Sequence, residues 1–541
     1  MAKKLRLLVI MIFMATIMTS TVYAQTDDYL RVGLGGASPG IHMESASVNV
    51  FFNINNHLLN VGYIDGGGTF TISADNLYYV FIENTHGGYD LARSRIWGRR
   101  AVPVLLESGT WGVYAGPFTN LAEAQSYALS AGATAIMAPN GRRLALHVGG
   151  DMVALFENNM FTPYFADARG GKVNVNGYYY RGLLQAHRTG AGLVPVNRVS
   201  MEDYLLSVVP SEMPAGWHMH ALKAQAVAAR SYAYTRAGVH ADRGYDLCNT
   251  VCCQVYLGMR QEHERTTEAV KGTRGIMAFH DGEVINAVYS SSSGGVTDDS
   301  ENVWSAASPY LRGRSDVYDV TGREWTRSFT LTELTRVANA NEANIGNVVG
   351  VQITGVSATG RVSQLTINGA AGSVRLEREQ IRTFFSPAQG GSLYSRNFRM
   401  DSYAITAGGM ALQRNAGVYV MGAGAPIMPE AGNINVLTNT GATIPAGMSN
   451  MLVQTAAGMQ SLPMQGSIGA NLILGGANIV QITGGFNSTG YVVTFVGRGW
   501  GHGVGLSQHG ARGMAEAGYT FDQILRHYYT GITLQTRADQ Q

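Results

Sequence analysis

Charge is scarce in this chain: 14% of its 541 residues are Asp, Glu, Lys or Arg, and the formal net charge is +2. A balance this even supplies no field for nucleic acid, so no nucleic-acid partner is expected. A neutral surface and a mild preference for an anionic polymer both fit it. Cysteine is scarcer still, with Cys248, Cys252 and Cys253 crowded into six residues. An odd count of near-neighbours makes poor disulfides, which excludes a framework of bridges and leaves a metal site or a local redox pair open. Long apolar runs are missing too, apart from Leu7–Met18. That run follows Lys3, Lys4 and Arg6 and precedes Val22-Tyr23-Ala24, the pattern of a signal peptide (residues 1–24) cleaved after Ala24. An uncleaved anchor is the rival reading, although the run is short for a spanning helix.

What is abundant is glycine, 68 residues, in the composition of a β-rich, turn-rich secreted protein. The length allows about two to four domains. Alternating apolar residues (Val48, Val50, Phe52; Phe70, Ile72) predict an N-terminal β module over 25–80. Further on, a strand from Trp111 leads through Gly116-Pro117-Phe118 into a helix starting near Asn120. Residues 144–199 read as strands and hairpins. Residues 401–490 turn to Gly, Ala, Asn and Thr with almost no charge, as in an inserted β segment or a low-complexity outgrowth.

The stretch Ser200–Tyr234 carries the chemistry. Ser200 and Asp203 have the spacing of an N-terminal cap, and Leu205, Leu206, Val208 and Val209 give a short helix one buried side. Pro210 is expected to end it, and a second, Ala-rich helix is expected to open near His220. Glu212 then stands in the break, past the negative end of the first helix and beside Met213 and Trp217. The dipole and poor solvation there favour a protonated carboxyl, as a general acid at neutral pH requires. Arg230 lies on the same face of the second helix as Lys223 and is expected to orient Glu212 or contact substrate. Ser291, Ser292 and Ser293, in a small-residue loop, and His502 and Gln508, in a Gly-rich loop, are candidate hydrogen-bonding groups for a polymer. Each of these loops can equally be structural.

Several motifs follow in order: EMPAGW with ALKAQAVAARSYA, CQVY, AVYSSSSGGVT with VW and PYL, and GRGWGHGVGLSQHGARGMA with ILRHYYTG. Together they resemble the sporulation stage II protein D and amidase-enhancer (SpoIID/LytB) family over about Gly177–Met400 and Val493–Leu534. The segment 100–143 resembles the peptidoglycan-binding (SPOR) repeat of sporulation and division proteins; a plain β-α unit is the alternative.

The family resemblance implies an α+β fold with a glycan-binding cleft and accessory β-rich segments, its core at 144–400 and 491–535. It also implies secretion to the cell wall or the outer face of the membrane, and a role in wall remodelling linked to sporulation. The implied activity is lytic cleavage of peptide-stripped glycan strands. A single carboxyl suffices for that reaction, because the muramic acid 6-hydroxyl attacks its own anomeric carbon, and Glu212 can serve as acid and then base. The resemblance marks Arg230 as important. It also places Tyr310 and Arg312 at a Tyr-x-basic position where lysine is usual, and His220 where a glutamate usually opens the helix. No cofactor is required. Some members carry zinc before QVY, which implies a structural site from Cys248, Cys252, Cys253 and His240. The rival readings are a non-catalytic partner, either an enhancer of an N-acetylmuramoyl-L-alanine amidase or a cell-wall-binding protein, and a hydrolase using Glu202 or Asp203 as second carboxylate.

Overall fold

The computed structural model describes residues 29–405 apart from 55–56, 97–99, 159–161 and 321, short strands within 411–471, and residues 491–536. The expected signal peptide lies outside the described residues, as does most of the 401–490 insert. Strands and helices are both plentiful, in several sheets, so the fold is α+β. Two compact units divide the chain: one runs to Ala278 and adds Gly282–Asn286 and the segment from Leu534 onward, and the other comprises Phe279–Asp281 and Ala287–Thr533.

In the first unit the strands are β1 (Tyr29–Gly33), β2 (Gly40–Ile54), β3 (His57–Ala74), β4 (Tyr78–Gly87), β5 (Ala101–Leu105), β6 (Trp111–Phe118) and β7 (Ile136–Met137). They continue as β8 (Leu144–Val148), β9 (Asp151–Phe156), β10 (Tyr164–Asp167), β11 (Lys172–Val175), β12 (Tyr178–Arg181), β13 (Leu183–Thr189), β14 (Gly192–Ser200) and β15 (Leu247–Cys248). All but β11 and β12 join one sheet in the order β15-β1-β14-β13-β10-β2-β3-β8-β9-β5-β6-β4-β7. The long β2–β3 hairpin is its spine, with Val48, Val50, Phe52, Phe70 and Ile72 buried as the alternation requires. Strands on both sides of residue 144 share this sheet, because β8 pairs with β3 and β10 with β2.

Residues 78–137 form a β-α-β-β-α-β unit: β4, α1 (Tyr89–Ser94), β5, β6, α2 (Leu121–Ala131) and β7. Its strand order β5-β6-β4-β7, with β4 antiparallel to both neighbours, is that of a split βαβ sheet. Asn120 caps α2 by accepting from the Glu123 N–H, where the sequence predicts the start. The strand and helix expected within 100–143 therefore belong to a larger unit that begins at Tyr78. One face of its sheet packs on Ala124 and Ala128 of α2, and Tyr79, Val102, Val104 and Tyr114 cluster with Ala145 and Leu155 of the adjoining strands β8 and β9. Beside this cluster the buried Arg143 pairs with Asp75 and Glu157, which accept from Tyr79 and Tyr114.

Strand β14 delivers the chain to α3 (Met201–Glu212), which is followed by α4 (Met219–Arg236) and α5 (Glu264–Lys271). Ser200 caps α3 by accepting from the Asp203 N–H. Pro210 does not end this helix, contrary to expectation; α3 continues to Glu212. The ring removes the N–H that would bond the Leu206 carbonyl, and burial of Leu205, Leu206, Val208 and Val209 holds the helix across it. His218 caps α4 through Nδ1, so the helix opens where the sequence placed it.

The second unit has a core of Trp325, Phe329, Phe385, Phe398 and Phe495 packed with Leu334, Leu365 and Ile381. Its sheet sets Tyr491–Gly497 between Trp325–Thr330 and Phe398–Ile405, with Ala404 opposite Tyr491. The insert therefore leaves and returns on adjacent antiparallel strands.

Candidate functional site

Glu212 is the last residue of α3, half-buried, with the fully buried Met213 as its C-cap. Its Oε1 accepts from the backbone N–H of Val255 at 3.3 Å. The segment supplying that N–H is tightly held: Tyr204 donates to Gln254 Oε1 (3.1 Å), Tyr256 donates to Asn197 (2.7 Å), and the Leu257 N–H donates to Ser207 Oγ (3.1 Å). Burial pushes the Tyr204 and Tyr256 hydroxyls well above their ordinary pKa, so they remain neutral donors. Beyond the break, Arg265 donates to the Trp217 carbonyl at 2.8 Å, which ties the loop to α5.

Arg230 is placed differently from the sequence-based expectation. It is fully buried, with Nε and Nη2 on the two carboxylate oxygens of Glu202 (both 2.8 Å) and Nη1 on the Ile276 carbonyl (3.0 Å). The guanidinium thus ties the first turn of α3 to α4, and no substrate contact is assigned to it. Glu202 also accepts from the Gly275 N–H. Asp203 accepts from the Ser200 hydroxyl and lies 3.9 Å from Arg181. Glu202 was the partner that sequence reasoning missed; its one signal was an acid in the first turn of the helix preceding an Ala-rich one.

His240, Cys248, Cys252 and Cys253 converge, their four donor atoms within 4.8 Å of one another. The His240 Nε2 lies 3.3 Å from the Cys253 sulfur and 3.9 Å from that of Cys252. Three thiols and one imidazole are the donor set of a closed, structural zinc site, whose metal–sulfur bonds of about 2.3 Å would draw the donors to about 3.8 Å apart. The cluster immediately precedes Gln254 and Val255.

In the second unit, Tyr289–Ser290 pairs in parallel with Leu506–Ser507, which brings the serine loop and the GWGHG loop together. Ser292 and Ser293 are buried, not offered to solvent. Ser292 donates to Asp319 (2.6 Å) and Ser293 to Asp316 (2.7 Å), and Tyr528 donates to the other Asp316 oxygen (2.9 Å). The sequence-based reading had no Asp partner for these serines. Both carboxylates are nonetheless used as buried acceptors, and the expected substrate contact of Ser292 gives way to this packing. Ser291 is half-exposed and accepts from Arg323 at 3.0 Å.

His502 donates from Nε2 to the Tyr289 carbonyl (2.9 Å) and accepts from the Val504 N–H at Nδ1 (3.0 Å). This neutral tautomer agrees with its pKa, pushed down to about 3 by burial and then by Arg382. Its ring meets the exposed Trp304 at 5.2 Å. Gln508 is buried at the start of the helix Gln508–Glu516. Tyr310 is half-buried, its ring 5.6 Å from that of His280. Arg312 is clamped on Glu301, whose carboxyl it holds at a pKa of about 2.

Residues 189–280, which contain α3, Glu212, α4 and the cysteine cluster, match the family model described as Stage II sporulation protein. Residues 316–424 match a domain of unknown function, DUF8618. The chain is 27% identical over 333 residues to a Bacillus subtilis protein named Amidase enhancer, covering 61% of this chain and 40% of that one. It is 34% identical over 241 residues to an uncharacterized protein of Brachyspira hyodysenteriae, covering 43% and 63% of the two chains. Stage II sporulation protein D of B. subtilis is 24% identical over 356 residues, 63% of this chain and 75% of that protein. The chain thus spans less than two thirds of the first two relatives. The helix pair and its cysteine cluster lie within the part of the chain that matches the Stage II sporulation protein model. These similarities support the resemblance to the SpoIID/LytB family carried by the sequence motifs.

Proposed function

We propose that this protein is a lytic transglycosylase of bacterial wall glycan. It cleaves the bond between N-acetylmuramic acid and N-acetylglucosamine in strands stripped of stem peptides, with Glu212 as the single acid and base. Protonated Glu212 gives its proton to the glycosidic oxygen as that bond to the anomeric carbon breaks. The muramic acid 6-hydroxyl oxygen bonds to the same carbon and yields its proton to the carboxylate, leaving a 1,6-anhydro end and regenerating the acid.

The observation that carries this reading is the commitment of the nearby acids. Glu202 is bound to Arg230 and Asp203 to the Ser200 cap, while half-buried Glu212 receives the Val255 N–H at the end of its helix. A hydrolase would need a second carboxylate, and the two acids nearest in sequence are taken. The four-donor cluster would hold a structural zinc whose part is to fix the 248–253 loop and so the Val255 N–H that Glu212 accepts. Secretion, action at the wall and a place in sporulation accompany this reading, with an N-acetylmuramoyl-L-alanine amidase as the activity that supplies stripped strands.

Incubating the protein with peptide-free strands and analysing the ends by mass spectrometry tests the assignment; absence of anhydro ends would sink it. A second reading, enhancement of an amidase without catalysis, is favoured by the name of one relative. It predicts faster amidase turnover and no new glycan ends.

A further inference from the structure

The Val255 N–H reaches Glu212 Oε1 at 3.3 Å, and the neighbouring Gln254 anchors that amide to two helices at once. Gln254 is 1% exposed. Its Oε1 accepts from the Tyr204 hydroxyl of α3 at 3.1 Å, and its Nε2 donates to the Ala229 carbonyl of α4 at 3.3 Å. Tyr204 and Ala229 are both fully buried, so water cannot replace either bond. Two residues beyond Val255, the Leu257 N–H donates to Ser207 Oγ of α3, and between them Tyr256 donates to Asn197 of β14. The segment 254–257 is therefore fastened on both sides of the amide that meets the carboxyl.

A core position of this kind is ordinarily filled by an apolar residue, because a buried amide gains little net stability and is costly if either end is unmet. Gln254 meets both ends, with an acceptor and a donor set on one planar group. An ionised glutamate would lack the donor that Ala229 takes, and methionine would lack both groups. The consequence for Glu212 is electrostatic as well as geometric. A helix C-terminus and poor solvation favour its protonated form, whereas an N–H held on the carboxylate favours the ionised one. A group that gives a proton and then takes one back works best when these influences balance near the working pH.

We propose that Gln254 is a positioning residue for Glu212: by bridging α3 and α4 it holds the Val255 N–H on Oε1 and so keeps the carboxyl poised between acid and base. The proposal rests on the reading of Glu212 as the single acid and base.

The test compares wild type, Glu212→Gln, Gln254→Met and Tyr204→Phe as full chains. Methionine keeps the unbranched shape of glutamine, and phenylalanine keeps the ring of Tyr204, so both preserve packing. Two readouts are followed as pH is varied: the amide signals of protein labelled at valine nitrogen, and turnover of peptide-free glycan to anhydro ends. In wild type one valine amide, lost in Val255→Ile, should shift as Glu212 ionises, and Glu212→Gln should abolish that response. In Gln254→Met the response should shrink and the alkaline fall of turnover should move to higher pH, because the protonated form is then favoured. There kcat should drop about tenfold or more, with KM within a few-fold. Tyr204→Phe should act in the same direction by less, and it decides the matter should methionine prevent folding. Val48→Ala, a core deletion in β2, should lower stability and move neither the amide response nor the alkaline limb. Folded Gln254→Met and Tyr204→Phe with the wild-type amide response and alkaline limb would overturn this proposal alone. Absence of anhydro ends from the wild type would overturn the acid and base reading and this proposal with it.

Discussion

Replacing Arg230 by lysine separates a structural role from a substrate role. The buried guanidinium makes three hydrogen bonds, at 2.8, 2.8 and 3.0 Å, to Glu202 and Ile276. A lysine keeps the charge but cannot repeat the two-pronged geometry, so two charge-assisted bonds are lost at about 1.5–3 kcal/mol each. The Glu202 side chain retains 20% exposure and recovers part of this from water, which leaves about 2–4 kcal/mol. Urea unfolding followed by tryptophan fluorescence, compared at matched slopes, measures the loss. Glu202→Gln should cost a similar amount, and the double variant less than the sum, because the pair acts as a unit. Glycan affinity of the folded fraction should stay within a few-fold of wild type. Stability unchanged within about 0.5 kcal/mol, with glycan affinity down tenfold or more, would refute the reasoning and return Arg230 to the substrate.

Three further outcomes are expected. His502 has a folded-state pKa of about 3, below its ordinary value near 6.5, so the unfolded chain binds one more proton between these limits. Stability present above about pH 6.5 should therefore fall with acidification toward pH 3, by up to ~1.4 kcal/mol per unit; denaturation midpoints from pH 7 to 4 should flatten in His502→Asn, and equal slopes would contradict this. Gly503 has φ +77°, and a Cβ there would come within 2.5 Å of the Arg361 guanidinium carbon, so Gly503→Ala should cost more than about 2 kcal/mol or prevent folding, as thermal unfolding would show. Elemental analysis should find about one zinc per chain, lost in Cys248→Ser with Cys253→Ser together with several degrees of melting temperature, and a metal-free wild type of equal stability would contradict the site.

Local signals in the sequence carried far. The Ser200 cap, the opening of α4 and the Asn120 start of α2 were legible because caps are local chemistry. The alternation of Val48, Val50, Phe70 and Ile72 was legible as buried strand. Pro210 misled, because the burial of Leu205, Leu206, Val208 and Val209 that holds the helix across it is set by tertiary packing. The partners of Arg230, Ser292 and Ser293 were not legible at all. Glu202 lies 28 residues from Arg230, and Asp319 lies 27 from Ser292, separations that only tertiary packing closes. The split βαβ unit was half seen, because α1 is a single short turn-and-a-half without strong periodicity. Glu212 itself was found because a lone acid in a helix break is conspicuous in sequence, whereas the Val255 N–H that meets it has no sequence signature.

The most direct test is the end-group chemistry of peptide-free glycan treated with wild type and with Glu212→Gln, read by mass spectrometry. Wild type should generate 1,6-anhydro-muramic ends, and the variant should generate them at least about a hundredfold more slowly, since general acid–base groups contribute ~10²–10⁴. Anhydro ends formed equally by the variant, or reducing ends in their place, would contradict Glu212 as the single acid and base.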